Sequence, residues 1–359
     1  MDIAGFFAPW IVYAALLALH LVVPARTVAG YVDNPDTGNP LTYRLNGLPV
    51  LLLAVGVWAG LGYLEILPFE WLYLHRWHSL AGAVTLGIAV SFSVVIGAPR
   101  NRKSPLADFF FGRRPNPQFV GGRVDAKMFL YLVGATMLAL NILSFTAHHL
   151  VKFGGENPGS VVLYSALFFW FLIDYMTFER VHLYTYDLFA ERVGFKLVWG
   201  CLTFYPYFYL VGMWVVADLP PAAISLPFKV AFAVIFFLGW TLARGANMQK
   251  YFFKTDPDRV FLGLFRPRTV SDGTHSLLCS GFWGLSRHVN YLGEILMAVG
   301  LTLALGYPGR LLVWLYPLYY VLLLFTRERA DRIRCAKKYG ALWDEYVREV
   351  PRRIIPGIY

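Results

Sequence analysis

An all-α polytopic membrane fold with nine or ten transmembrane helices is what this sequence predicts, and three observations predict it. Its 359 residues are 57% hydrophobic and only 15% charged, where soluble domains carry about a quarter charged residues, and the mean hydropathy is +0.52. Apolar runs of the roughly 20 residues needed to cross a bilayer recur along the chain. Lys and Arg gather in three clusters between or after those runs, as they do on cytoplasmic loops.

Taken in order, Gly5–Ala25, Gly47–Phe69, Trp77–Ala98, Met128–Val151, Gly159–Phe178, Leu197–Ala217 and Pro220–Ala243 all meet the length requirement. His288–Pro308 and Leu311–Thr326 are shorter or more polar candidates. Ser276–Ser286 is apolar but too short to span, and reads as a re-entrant piece or one half of a broken helix. Gly5–Ala25 has no basic segment before it, and Pro24-Ala25-Arg26 is a poor cleavage site, so it reads as a retained helix.

The formal charge of +10 would suggest nucleic acid for a soluble protein. Here the basic clusters account for it, and no nucleic-acid partner is expected. They are Pro99–Lys127 (Arg100, Arg102, Lys103, Arg113, Arg114, Arg123, Lys127), Arg244–His275 (Arg244, Lys250, Lys254, Arg259, Arg266, Arg268) and the tail after Thr326. The three cysteines make no disulfide framework, no Cys/His group has metal-ligand spacing, and no metal is expected. His148-His149, closing an apolar run, reads as interfacial.

Three longer loops are turn-rich: Arg26–Asn46 with DNPDTGNP, Pro99–Lys127 with GRRPNPQFVGGRVD, and Lys250–His275 with DPDR. There is no soluble domain and no internal repeat. Apolar segments in the C-terminal third are shorter, with polar residues inside them, and interrupted helices at membrane depth line cavities. The expected organisation is therefore residues 1–245 as scaffold and part of a substrate pocket, and 246–359 as the ligand-binding half.

Four constellations could carry chemistry. In SGFWGLSRHVNYLGE, Asn290 and Glu294 share a helix face at i,i+4, beside Trp283 and Tyr291. Such a set suits a planar amide- and hydroxyl-bearing ligand, or else its members bond to each other and to neighbouring helices. Arg327, Asp331, Cys335 and Lys338 line one face of a second helix, followed by Tyr339, Trp343 and Tyr346. That face suits phosphates or anionic headgroups. Lys250 and Lys254, at i,i+4 on a helix end, read as a phosphate clamp or as snorkelling anchors. Asp174 and Glu179, at the end of an apolar run, are candidate proton donors or members of ion pairs, Arg180 being one partner. No Gly-rich dinucleotide fingerprint, P-loop, GxSxG or HExxH is present, so a nucleotide here would need a different site.

With these residues in view, the chain resembles the membrane sterol reductases: the Δ14-, Δ7- and Δ24(28)-sterol reductases and the membrane part of lamin B receptor. The resemblance rests on SGFWGLSRHVNYLGE and TRERADRIRCAKKYGALWDEYVREVPRRIIPGIY, with LTYRLNG, DFFFGRRPNPQF, DAKMF, FLIDYMTFE and GANMQKYFFK upstream. It implies NADPH as cofactor, held by Lys250, Lys254, Leu278, Trp283, Asn290, Tyr291, Asp331, Cys335 to Tyr339 and Tyr346, with Arg327 and Glu294 at neighbouring motif positions. It implies reduction of a sterol carbon–carbon double bond, Δ14 first and Δ7 second, by alkene protonation and hydride transfer. The acid candidates are Asp174, Glu179, Tyr205 and Tyr207.

Several positions depart from the family pattern. Lys254 stands where Arg is usual, Phe282 replaces a Trp, Glu294 an Asp, and Thr326 and Ala330 a His and an Arg. Cys201–Leu210 departs most, and the resemblance implies that this segment borders the substrate. The expected partners are a sterol or related isoprenoid from the bilayer and membrane lipids. The expected location is an inner membrane in a bacterium or the endoplasmic reticulum membrane in a eukaryote, with a cytoplasmic tail. Two rivals stand beside this reading: an S-adenosylmethionine-dependent membrane methyltransferase of the isoprenylcysteine carboxyl type, and a non-catalytic sterol-binding protein.

Overall fold

The computed structural model describes residues 2–34, 37–100, 102, 104–155 and 159–359. Lys103 of the first basic cluster and Pro35-Asp36 of the DNPDTGNP turn lie outside these residues. The chain divides into two compact units, Met1–Pro221 and Ala222–Tyr359.

The first unit opens with helix α1 (Ile3–Val22), started by the Asp2 carboxylate accepting from the Gly5 N–H. The turn-rich Arg26–Asn46 stretch is a β-hairpin, β1 (Arg26–Asp33) antiparallel to β2 (Pro40–Leu45). Val28, Leu41 and Tyr43 alternate onto one face and bury against Met128, Leu183 and Leu188. Gly30 stands where a Cβ would strike the Tyr43 ring. Helices α2 (Gly47–Tyr63), α3 (Trp71–Leu74) and α4 (Arg76–Ile96) follow. The loop after α4 holds α5 (Pro105–Phe111), capped by Ser104, and a short hairpin of β3 (Gln118–Phe119) and β4 (Val124–Asp125).

The centre of this unit is α6 (Ala126–Phe153), started by Asp125, whose carboxylate accepts from the Lys127 and Met128 N–H groups. It buries most of its length, as a helix apolar all round does. Helix α7 (Gly159–Thr177) and the short α8 (Glu179–His182) and α9 (Tyr186–Phe189) lead to the stretch expected to span at Leu197–Ala217.

That stretch is not one helix. It is α10 (Phe195–Trp199), a π-helical turn (Gly200–Phe204), α11 (Tyr205–Phe208) and α12 (Val211–Val216). Pro206 has no N–H to donate back into the π turn, and an interrupted ladder leaves carbonyls that need other donors. Tyr13 Oη donates to the Leu202 carbonyl at 2.6 Å and Asn141 Nδ2 to the Pro206 carbonyl at 3.0 Å.

In the second unit α13 (Leu226–Thr255) runs 30 residues, well past the apolar run ending at Ala243, and carries Lys250 and Lys254 in its last turns. The Ser276–Ser286 segment is not one half of a broken helix. It contributes β6 (Ser276–Leu278), antiparallel to β5 (Thr269–Ser271), and the single turn α14 (Phe282–Leu285). Then come α15 (Val289–Ala304), a 3₁₀ turn (Leu311–Trp314) leading into α16 (Leu315–Tyr339), and α17 (Ala341–Glu349).

Among the described residues the protein is thus mostly helical, with three small hairpins. Among the described residues six helices are long and apolar enough to cross a membrane: α1, α4, α6, α7, α13 and the Leu311–Tyr339 run, with α2 and α15 shorter. This is a multi-pass membrane protein.

Candidate functional site

Small residues set the geometry of the second unit. Gly239 and Ala243 of α13 face Gly293 of the antiparallel α15, and Gly300 meets Phe232 and Phe236 further along the same pair. A Cβ on Gly293 would lie 2.5 Å from both the Gly239 carbonyl and the Ala243 nitrogen. Small residues at such spacing let helix backbones meet in membranes. Asn247 is one turn beyond Ala243, and Asn290 one turn before Gly293, so the two asparagines meet. Asn290 Nδ2 donates to Asn247 Oδ1 at 3.3 Å, while Asn290 Oδ1 is buried without a hydrogen-bond partner.

The Ser280–Trp283 turn is tied to the same stretch of α13. Gln249 Nε2 donates to the Ser280 carbonyl at 3.1 Å and its Oε1 accepts from the Phe282 N–H at 2.9 Å. Gly281 makes the turn at φ +61°. Trp283 Nε1 donates to the Ala246 carbonyl at 2.8 Å, and Lys250 Nζ stands 5.5 Å from the Trp283 ring centre. Beside Asn290, the His288 and Tyr291 rings stack at 4.7 Å.

Helix α16 brings the third group of residues. Asp331 Oδ2 is 3.9 Å from His288 Nε2 and 3.8 Å from Cys335 Sγ, and Asp331 Oδ1 is 3.8 Å from Arg334 Nη1. Lys250 lies within electrostatic reach of Asp331 and Cys335. Cys335 and Tyr339 pack on the cluster of Trp343, Tyr346, Cys279 and Val270, which joins α17 to the β5–β6 hairpin. Leu278 is buried in β6 beside Cys279. Lys254 and Lys338 are exposed one turn out, and Glu294 and Arg327 are half-buried one turn from Asn290 and Asp331.

Three motifs far apart in sequence, at 247–254, 280–294 and 327–346, therefore converge within one unit. Their chemistry fits an amide-bearing dinucleotide. The orphaned Asn290 Oδ1 has a lone pair open to an N–H donor, the aromatic rings offer stacking faces, and lysine and arginine side chains are of the kind that bind phosphates. Asn247, Gln249 and His288 lie inside the motifs, and their sequence positions alone assign them no role. Their signal was the one that singled out Asn290: polar side chains inside apolar helices.

The four acid candidates all belong to the first unit. Glu179 opens α8 and points at the start of α2, where its Oε2 accepts from the Gly47 N–H at 2.8 Å. Burial holds the Glu179 carboxyl up at about 7, against the lowering effect of the Gly47 N–H. Tyr175, which has Glu179, Asp187, Cys201 and Tyr205 within electrostatic reach, links two of the candidates. Tyr205 packs its ring against Gly134 of α6. Tyr207 is buried, its hydroxyl 2.6 Å from Ser79 Oγ. Asp174 is half-buried near the end of α7.

The model of the ergosterol biosynthesis ERG4/ERG24 family matches residues 4–359. The chain belongs to that family. It is 33% identical over 354 residues to a Delta(14)-sterol reductase of Arabidopsis thaliana, covering 94% of this chain and 91% of the relative. It is 31% identical to one of Methylotuvimicrobium alcaliphilum, covering 99% and 83%, and 32% identical to one of Mus musculus, covering 98% and 86%.

Two of the blocks that resemble the ERG4/ERG24 pattern outside the site, LTYRLNG and DFFFGRRPNPQF, close helix ends, with Arg123 beside them. Arg44 donates to the His20 and Val23 carbonyls at 3.0 and 2.6 Å, Asn46 Nδ2 to the same two at 3.1 and 3.0 Å, and Arg123 to Leu21 at 2.5 Å. Together they satisfy the end of α1, whose last carbonyls have no helical partner. Arg113 does the same for α4 through the Val95 and Ala98 carbonyls while paired with the buried Asp108.

Proposed function

We propose that this protein reduces a carbon–carbon double bond of a sterol with NADPH as hydride donor, the Δ14 bond first and Δ7 second. The observation that carries the reading is the convergence of the motifs bearing Lys250, Trp283, Asn290 and Asp331 within one unit, with the buried Asn290 oxygen left unpartnered. The names borne by relatives along nearly the whole chain support the sterol as substrate.

NADPH, when bound, supplies the hydride that saturates the alkene. Asn290 would accept from its carboxamide, with Asn247 fixing the orientation of the Asn290 amide. Lys250, Lys254, Arg327 and Lys338 would bind its phosphates. Asp331 would accept from a ribose hydroxyl, and Trp283, Tyr291, Tyr339 and Tyr346 would wall the site with Leu278, Cys335 and Glu294. Glu179 is our choice of proton donor. A carboxyl held near neutrality is protonated in a useful fraction of molecules and still acidic enough to give the proton up. Tyr175 and Tyr205, within electrostatic reach of one another, would relay that proton within the first unit. Addition of the proton to one alkene carbon and of hydride to the other gives the saturated sterol.

In this reading residues 1–245 serve as scaffold and substrate half and 246–359 as cofactor half. The substrate enters from the bilayer, and the basic tail faces the cytoplasm, in the inner membrane of a bacterium or the endoplasmic reticulum of a eukaryote. The test incubates purified protein with NADPH and a panel of Δ14, Δ7 and Δ24 sterols, with mass spectrometry of the products. Loss of the Δ14 unsaturation is the expected result. Thermal stabilisation by S-adenosylmethionine and none by NADPH would favour a methyltransferase. NADPH oxidation at background with every sterol would favour a non-catalytic binder.

A further inference from the structure

Helix α15 begins without a side-chain cap at His288, and its entry is held instead by the end of the chain. The Arg287 and His288 N–H groups donate to the Arg352 and Arg353 carbonyls at 2.9 and 2.8 Å. Ser286 Oγ donates to the Ile354 carbonyl and Arg287 Nη1 to the Val350 carbonyl, each at 2.8 Å. The tail is closed on itself, since the Arg353, Ile354 and Ile355 N–H groups all donate to the Tyr359 oxygen. Arg353 Nη1 donates to Tyr359 Oη at 2.9 Å, and the Tyr359 ring stacks on Phe325 of α16 at 5.3 Å.

One turn beyond Phe325, Glu328 is 1% exposed. Neither of its carboxylate oxygens meets a hydrogen-bond donor. Arg353 Nε stands 4.0 Å from Oε1, and the Arg287 guanidinium lies within electrostatic reach. A buried carboxylate without hydrogen bonds is costly unless a countercharge faces it. Arg353 and Arg287 both belong to the strap between tail and α15.

We infer that Glu328 is a positioning residue. Through Arg353 it clasps the Val350–Tyr359 tail against the Ser286–His288 backbone and so fixes where Asn290 and Tyr291 stand. Glu328 touches no ligand in this account; it acts on the site through the strap. The inference rests on the cofactor reading above only for which ligand the positioned groups hold.

The test uses the full-length protein in detergent and the variants Glu328→Gln, Glu328→Asp and Arg353→Gln. Hydrogen exchange of the 286–291 amides, measured without cofactor, is expected to quicken in Glu328→Gln and Arg353→Gln and to stay near wild type in Glu328→Asp. The NADPH dissociation constant is expected to rise roughly tenfold in each Gln variant, as second-tier couplings of this kind do. The double variant should be no worse than either single one, because both break one clasp. Unchanged exchange at 286–291, or single effects that multiply in the double variant, would overturn the inference. Quickened exchange with unchanged NADPH affinity would overturn its link to the site. Should Glu328→Gln fail to fold, Arg353→Gln on the half-exposed side of the pair carries the test. A wild-type protein that does not bind NADPH sinks the cofactor reading alone, and the exchange result still decides the clasp.

Discussion

Asn290 gives one amide hydrogen to Asn247 across the α13–α15 contact and keeps its own buried oxygen unpaired. Buried polar atoms nearly always find a partner, and one that does not calls for an explanation. A ligand donor is the explanation favoured by the surrounding lysine, indole and carboxylate. Asn290→Ala is expected to raise the NADPH dissociation constant about tenfold, the worth of one hydrogen bond in a buried site, and to leave thermal stability near wild type. Calorimetric titration with NADPH beside a thermal melt checks both. Affinity unchanged in a well-folded variant would remove Asn290 from the site.

Gly293 sets the distance at which those asparagines meet. A Cβ there would press on the Gly239 carbonyl and Ala243 nitrogen at 2.5 Å, and both are backbone atoms that cannot swing aside. Gly293→Val should cost about 1–3 kcal/mol in overpacking. It should also weaken NADPH binding beyond that of a surface control of equal melting temperature, because the helices part next to Asn290. A Gly293→Val protein with wild-type affinity and stability would mean that the helices are free to shift.

How much of this was legible beforehand can be followed residue by residue. Membrane class and the motif surfaces were open to view, because apolar length and the cost of polar groups in lipid act on sequence directly. The helix-period face from Arg327 to Lys338 was right in kind, since α16 continues unbroken through it. What escaped was non-local. The Arg26–Asn46 hairpin forms because alternate residues find Met128 and Leu183 to bury against, and nothing near them in sequence announces that. The basic residues Arg113 and Arg123 read as loop charge, yet their job is to close helix ends brought to them by the fold. Pro206 and Gly200 could have warned that Leu197–Ala217 would not run straight, but which donors repair the break depends on Tyr13 and Asn141, far away in the chain.

Lys127 is the sharpest case of a charge misread as surface. It is fully buried, and its Nζ donates to the carbonyls of Asp187, Leu188 and Glu191 at 3.0, 2.8 and 2.7 Å. Lys127→Met keeps the length and removes all three donors. Three carbonyls left without a partner should destabilise the protein by on the order of 3 kcal/mol, read as a lowered melting temperature in detergent. A variant as stable as wild type would show that water replaces the ammonium there.

Glu179 yields a prediction in pH. Its carboxyl is held at about 7 in the folded protein against 4.5 as reference, so the folded state keeps a proton that the unfolded chain releases earlier. The associated stability is complete below pH 4.5, declines as pH rises through 7, and is flat above that. With the group 8% exposed, the loss across that window is on the order of 3 kcal/mol. Glu179→Gln retains an oxygen for the Gly47 N–H and cannot ionise. It should therefore flatten the stability profile between pH 5 and 7 and exceed wild type in melting temperature at pH 8. If Glu179 is also the acid, wild-type turnover must fall on the alkaline side with an apparent midpoint about 7, while Glu179→Gln loses turnover at every pH. A flattened stability profile with turnover intact would leave Glu179 as the cap of α2 and move the proton to Tyr205, Tyr207 or Asp174.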